Sequence, residues 1–140
     1  MNHVSIQVAK DLYQLGWRKH CNFLVYTSIQ EGGDKIICME DKFALSGMAL
    51  GDIKDDGTGN WLPQLHEVLP LLPESFYCFT NGFKHTYVLG MDKSVKGFRC
   101  FYADIERNER LVNYTDKNPH DAAAKLLMWY VKNHHITGKL

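Results

Sequence analysis

The chain has 140 residues, of which 45% are hydrophobic, and we assign residues 1–140 to a single folded domain with its own core. It carries 16 Lys and Arg residues and 16 Asp and Glu residues, so its formal net charge is zero. This balance argues against a dedicated duplex-DNA-binding protein, and the hydrophobic content argues against a disordered chain.

A helix is the first element that the sequence predicts. Ser5 is a suitable N-terminal cap, and Val8, Leu12 and Leu15 recur at the spacing of one helical face. Gly16 follows, at the position where helices commonly end in a left-handed residue. We therefore expect a helix that starts after Ser5 and runs to about Leu15.

A β-hairpin and a long loop are expected next. Residues 23–29 are rich in β-branched and aromatic side chains, and residues 35–39 are their expected partner across a turn at residues 31–34. We expect residues 43–45 to add a short third strand. Residues 46–60 are rich in Gly and Asp and predict a loop longer than an ordinary connection.

The second half of the chain predicts a short helix and then a meander of antiparallel strands. The helix is expected to begin at Leu62 and Pro63, and Pro70 terminates it. Asn81 and Gly82 have the sequence of a tight hairpin turn. The predicted strands are residues 76–80, 83–91, 96–103 and 111–114, with a second turn at residues 92–94.

The last predicted element is a capped helix that runs to about Val131. Asn118 can cap it, Pro119 suits its first position, and Asp121 favours the positive end of the helix dipole. Its apolar stripe has the spacing of a helix that covers a sheet. The stripe consists of Ala123, Leu126, Leu127, Tyr130 and Val131.

These elements place the chain in the α+β class, in the order α-ββ-loop-α-βββ-α. Three helices separated by hairpin-linked strands predict a largely antiparallel sheet of about five or six strands. Both alternating sets of the meander are apolar, since Phe76 and Cys78 face one side while Tyr77 and Phe79 face the other. Three short helices are too few to cover both faces, so we expect a homo-oligomer, such as a dimer joined through the aromatic face.

The sequence indicates a cytoplasmic protein that needs no metal or cofactor. Residues 1–5 lack the start of a signal peptide, and no apolar run approaches the roughly 18 residues of a membrane span. The cysteines stand far apart without a CxxC pair, so we expect free, buried thiols and no structural zinc site. They are Cys21, Cys38, Cys78 and Cys100.

The candidate functional residues are basic and aromatic. Guanidinium groups and aromatic faces together bind phosphates and bases, and the strands at 83–91 and 96–103 carry several such side chains. Trp61, between the long loop and the second helix, is a further residue on which a ligand can stack. The predicted ligand-binding set is Trp61, Lys84, His85, Tyr87, Lys96 and Arg99, with no catalytic and no metal-binding residue.

A catalytic alternative stays open at this stage. Cys78 or Cys100, His85 and Asp104 fall in the same meander, and a thiol, an imidazole and a carboxylate can meet across neighbouring strands. Catalytic thiols, however, usually lie where a thiolate is stabilised, whereas these two lie among aromatic and aliphatic residues. The sequence therefore favours a structural role for both cysteines.

Three segments carry a resemblance. Residues 8–17, 62–70 and 121–130, in that order, resemble a diffuse group of short uncharacterised proteins encoded by phages and prophages of gut bacteria. The likeness rests on helix-packing residues and implies no catalytic residue. It implies a small accessory protein of a mobile element in the host bacterial cytosol. Many such proteins bind a host protein or a small signalling molecule used in host defence, so the resemblance implies an anti-defence role.

The function expected from the sequence is binding without turnover. We expect an oligomeric cytosolic protein that holds a small anionic, nucleotide-like ligand or a host protein, with no membrane partner. One alternative is a small hydrolase with a Cys/His or Asp site, and another is a purely self-assembling structural protein.

Overall fold

The computed structural model describes residues 2–17, 21, 23–28, 33–38 and 59–133. In this part of the chain three α-helices accompany seven strands, so the predicted α+β class is confirmed. The strands form two antiparallel sheets rather than one sheet of five or six strands. The predicted strand at 43–45 and most of the predicted loop lie outside the described residues.

The first half of the chain contributes one helix and the three-stranded sheet. Strand β1 lies in the middle of this sheet, between β2 and β3. Its neighbours are both antiparallel to it. The elements are α1 (Ile6–Gln14), β1 (Phe23–Ser28), β2 (Gly33–Cys38) and β3 (Gly59–Leu62).

Helix α1 begins and ends as its sequence predicts. The Ser5 hydroxyl accepts a hydrogen bond from the backbone N–H of Val8. Gly16 adopts a φ of 102° and donates its N–H to Tyr13, while the N–H of Trp17 bonds back to Leu12. This pair of bonds satisfies the last carbonyl groups of the helix, and only a residue that tolerates positive φ makes it.

Strand β3 corrects the predicted start of the second helix. Residues 59–62 were expected to end a loop and open a helix, but they pair with β1 and place Trp61 opposite Leu24. The helix α2 (Leu65–Val68) starts three residues later, after Gln64 and Glu67 form a reciprocal capping box. A 3-10 turn (Leu69–Leu71) then brings the chain to the second sheet.

The second half of the chain forms the four-stranded sheet and the last helix. The strands follow one another as a meander in the order β4-β5-β6-β7. The elements are β4 (Ser75–Thr80), β5 (Phe83–Ser94), β6 (Gly97–Asp104), β7 (Glu109–Asp116) and α3 (Pro119–Asn133).

One turn of the meander lies where the sequence predicts it, and another lies elsewhere. Asn81 and Gly82 both have positive φ, as the tight turn between β4 and β5 requires. Strand β5 continues through the predicted turn at 92–94 to Ser94, which pairs with Gly97. The chain reverses at Val95 and Lys96, and Gly97 begins β6 with a φ of 136° that is open to glycine, where a Cβ would also meet the backbone of Asp116.

The core lies between α3 and the inner face of the four-stranded sheet. Tyr102 is fully buried beneath the helix and donates its hydroxyl to the carbonyl of Pro73 at 2.8 Å. Leu126 and Leu127 of α3 are also buried in this core, as the apolar stripe predicts. Asn118 caps the helix by accepting the N–H of His120.

The outer face of the same sheet carries exposed aromatic rings. Tyr77 is 61% exposed and Phe79 is 66% exposed. Within the described residues no helix packs on this face, and α3 contacts β6 and β7 from the inner side. The sequence predicts that this second face is covered, but no described part of the chain covers it.

Candidate functional site

A cavity of about 280 Å³ opens at the end of the four-stranded sheet, where β5 and β6 meet the turn before β7. Its walls combine titratable and aromatic side chains, which is the composition of a site that recognises polar ligands. The lining residues are Thr80, His85, Tyr87, Asp104, Arg107, Glu109, Arg110 and Leu111.

The register of β5 and β6 places a histidine beside an aspartate in this cavity. Tyr87 lies directly opposite Asp104, and His85 is two positions earlier on the same face of β5. Nδ1 of His85 lies 3.4 Å from Oδ2 of Asp104. The His85 and Asp104 side chains are only 8% and 5% exposed, so the pair is largely shielded from solvent.

Both carboxylate oxygens of Asp104 are engaged. Oδ2 faces His85, and Oδ1 accepts hydrogen bonds from the backbone N–H groups of Glu106 and Arg107. Burial raises the pKa of the Asp104 carboxyl, but the hydrogen bonds from Arg107, His85 and Glu106 together lower it by more, so the pKa lies below its ordinary value. The ionised carboxylate can only accept, so Nδ1 of His85 carries the proton.

The second ring nitrogen of His85, Nε2, has no hydrogen-bond partner among the described residues. Since no fully buried side-chain N or O atom in those residues lacks a partner, Nε2 is not fully buried. Nε2 is therefore open to solvent or ligand. The Tyr87 ring lies nearly parallel to the imidazole, with a centroid distance of 6.4 Å and an interplanar angle of 22°.

Cys78 lies across the strand pair from His85. The two residues are direct partners in the β4–β5 register and share one face of the sheet. Burial raises the pKa of Tyr87, and the neighbouring Cys78 raises it further. Cys100 is different, because its full burial raises the pKa of its thiol to about 11 and leaves it without access to the cavity.

The two arginines of the cavity wall are not equivalent. The guanidinium of Arg110 stacks 3.7 Å from the centroid of Phe101 and donates to Asp92, and both of these partners lie on the outer face. Arg107 follows Asp104 in the turn, and in the described part of the chain it forms no ion pair. Arg107 is thus the cation that a ligand in the cavity can recruit.

The structure brings together only two of the predicted site residues. His85 and Tyr87 line the cavity. Lys84 lies on the opposite face, with Nζ 4.6 Å from the centroid of the Tyr77 ring. Trp61 lies in the three-stranded sheet, where it is half-buried and packs against the core.

Arg99 and Lys96 lie at the far end of the meander. Arg99 forms a two-pronged ion pair with Asp92, one bond of which measures 2.7 Å, and Lys96 is exposed in the turn before β6. Asp92 is eight positions beyond Lys84 along β5, a distance of about 26 Å in an extended strand. The basic residues therefore do not form the single patch that the sequence suggested.

Arg107, Thr80 and Glu109 were missed as site residues. Asp104 ends β6 and its side chain accepts from the N–H groups two and three positions later, which is a common turn-forming role of aspartate at the end of a strand. This local pattern predicts a tight turn, and a tight turn places Arg107 close to Asp104. The pairing with β5 is not a local property, so the cavity itself has no sequence signature.

No family model matches the chain, and no curated protein and no solved structure is significantly similar to it. In the described segments no three His, Cys, Asp or Glu side chains cluster as metal ligands would. No helix in those segments is long and apolar enough to cross a membrane. The function is therefore inferred from the chemistry of the cavity.

Proposed function

We propose that the protein binds a small anionic, nucleotide-like ligand in the His85 cavity, without turnover. The observation that carries this proposal is the buried His85 ring, which Asp104 orients through Nδ1 and which lines a cavity together with Arg107. The proposed setting is the host bacterial cytosol, as an accessory protein of a phage or another mobile element.

The chemistry of the cavity supports an anion more than a cation. Both oxygens of Asp104 are already hydrogen-bonded, so its carboxylate is not available to bind a cation in the cavity. Arg107 adds a positive charge and hydrogen-bond donors to the cavity wall. Glu109 is the remaining acidic residue of the wall and favours ligands that also offer a hydroxyl or amino group.

The size of the cavity limits the ligand. Small-molecule sites commonly enclose about 300–1,000 Å³. The volume of about 280 Å³ lies just under that range, so a single mononucleotide or a smaller anion fits better than a dinucleotide. The half-buried Tyr87 ring offers a face for a base or a sugar.

Isothermal titration calorimetry with a panel of nucleoside monophosphates and inorganic phosphate tests this proposal. We expect one compound to bind, and we expect His85→Gln and Arg107→Ala each to weaken its affinity about tenfold or more, as the loss of a charged hydrogen bond does. Lys96→Ala is the matched control, because Lys96 is exposed and lies outside the cavity. Equal affinity in all four proteins would contradict the proposal.

A small hydrolase is a second candidate, and one specific arrangement favours it. Cys78 is the register partner of His85, and Asp104 lies behind the imidazole, so a thiol, a base and an orienting carboxylate converge on one face. In this scheme Nε2 takes the thiol proton and the Cys78 sulfur attacks an acyl carbon. Nε2–H then returns the proton to the leaving oxygen or nitrogen, the acyl–O or acyl–N bond breaks, and the alcohol or amine departs. Water then hydrolyses the acyl-enzyme.

Turnover assays separate the two candidates. A hydrolase converts an activated ester, loses that activity in Cys78→Ala, and keeps it in Cys100→Ala, once the variants are shown to be folded. A binding protein converts no ester, and its affinity for the ligand survives Cys78→Ala. Turnover that depends on Cys78 would therefore replace the binding proposal.

A further inference from the structure

Strand β4 is an edge strand whose outer side has no partner in the described part of the chain. Natural edge strands are usually protected by charged side chains, proline, bulges or a covering element. The six residues of β4 are Ser75, Phe76, Tyr77, Cys78, Phe79 and Thr80, and none is charged or proline. This edge is therefore chemically open to pairing.

The hydrogen-bond pattern shows which residues face the open side. The N–H of Leu89 donates to the carbonyl of Glu74 at 2.9 Å, so this position is a hydrogen-bonded pair of the β4–β5 ladder. Such pairs alternate along an antiparallel ladder. Residues 76, 78 and 80 therefore bond to β5, and Ser75, Tyr77 and Phe79 direct their N–H and C=O groups to the free edge.

We propose that two copies of this chain pair through β4 about a two-fold axis at Tyr77. In that register Tyr77 lies opposite its own copy, and Ser75 lies opposite Phe79 of the second copy. Each of these positions exchanges two backbone hydrogen bonds. The two four-stranded sheets then join into one continuous antiparallel sheet.

A second copy fits this edge because the open row is self-complementary. Two-fold pairing satisfies the outward groups of Ser75, Tyr77 and Phe79 on both chains at once, as a closed dimer requires. No charge on β4 repels a second β4 or selects a charged partner. Pairing also sets the exposed Tyr77 ring opposite its copy on the outer face, with the exposed Phe79 ring of the second copy as its diagonal neighbour, and cross-strand aromatic neighbours stabilise sheets.

Sedimentation velocity of the full chain tests the proposal. The protein has a mass of 16.1 kDa, and we expect a species of twice that mass at about 100 µM, where a dimer with a dissociation constant of about 1 µM is formed. Phe79→Lys places a charge at the edge and is expected to raise the dissociation constant at least tenfold. Tyr77→Pro removes an outward N–H that β5 does not use, and is expected to have the same effect.

Phe83→Lys is the matched control. Phe83 and Phe79 are both 66% exposed, but Phe83 lies on β5 rather than on the edge strand and is on the opposite face of the sheet from Phe79. We expect Phe83→Lys to leave the dimer intact, and circular dichroism confirms that each variant is folded.

A wild-type chain that stays monomeric at that concentration would overturn the proposal. The partner for the β4 edge would then have to be a strand of another protein. A dimer that survives both β4 substitutions but dissociates in Phe83→Lys would place the interface elsewhere. The inference is independent of the proposed ligand, because Phe79 and Tyr77 do not line the His85 cavity.

Discussion

The carboxylate of Asp121 accepts a 2.7 Å hydrogen bond from the backbone N–H of Ser5, which lies 116 positions earlier in the chain. Ser5 caps α1, and Asp121 lies in the first turn of α3, so one bond joins the starts of two helices. Asn118 adds a second link through its side-chain N–H group to the carbonyl of His3. The first and last helices are thereby fixed to each other over the core.

We expect Asp121→Ala to lower the free energy of unfolding by about 1–3 kcal/mol, because the Ser5 N–H loses its acceptor in a buried setting. Urea denaturation followed by circular dichroism measures the change. Asp121→Asn keeps an acceptor oxygen at the same place and should lose less. Equal losses in the two variants would show that the charge, and not the hydrogen bond, is what stabilises the fold.

Leu127→Ala tests the packing of α3 on the sheet. Leu127 is almost completely buried in the core, so we expect a loss of about 2–5 kcal/mol in urea melts. Lys132→Ala on the exposed side of the same helix should change stability by no more than about 0.5 kcal/mol. A loss under about 1 kcal/mol for Leu127→Ala would mean that the helix does not pack as described.

Local signals account for what the sequence predicted correctly. Asn118, Gly16 and the Asn81–Gly82 pair each act on bonds within a few residues, so caps and a tight turn follow from the sequence itself. The amphipathic stripe of α3 is also local. These features suffice to establish the α+β class.

Long-range pairing accounts for what the sequence did not predict. Trp61 belongs to a strand because residues 59–62 pair with β1. No local pattern in these residues predicts that pairing. The cavity depends on a register that sets Tyr87 opposite Asp104. The placement of Lys84 and His85 on opposite faces could be predicted from the sequence, since adjacent strand residues face opposite sides of a sheet.

Asp104→Asn is expected to reverse the tautomer of His85. The two backbone N–H groups hold the amide oxygen of an asparagine at Oδ1, which turns its NH₂ group toward Nδ1 of the ring. Nδ1 must then accept, so the proton moves to Nε2. Long-range ¹H–¹⁵N spectra of the ring nitrogens detect this exchange, with the exposed His66 as internal reference. Identical His85 spectra in the two proteins would contradict the assigned pair.

Asp116 makes stability depend on pH in the acid range. Burial raises the pKa of the Asp116 carboxyl, but the hydrogen bonds from Lys125 and from the backbone N–H of Asn118 lower it by more. Its folded-state pKa thus lies below the unfolded value of about 3.9. The stabilisation is therefore present above about pH 4 and is lost as the pH falls through the folded-state pKa.

Urea melts of the wild type and of Asp116→Asn between about pH 2 and 6 check this expectation. The difference in unfolding free energy between the two proteins should be largest at the upper end of this range and should shrink toward the acid end. A difference that stays constant across the range would show that ionisation of Asp116 does not stabilise the fold.

The most direct test of the ligand site is an NMR titration of ¹⁵N-labelled protein with adenosine monophosphate and, separately, with inorganic phosphate. We predict that backbone amide shifts cluster at His85, Tyr87 and Arg107, and that Arg107→Ala needs at least about tenfold more ligand to reach the same shifts. Shifts that instead cluster at Lys84 and Arg99 on the outer face, or no shifts with either compound, would contradict the assignment of the cavity as the anion site.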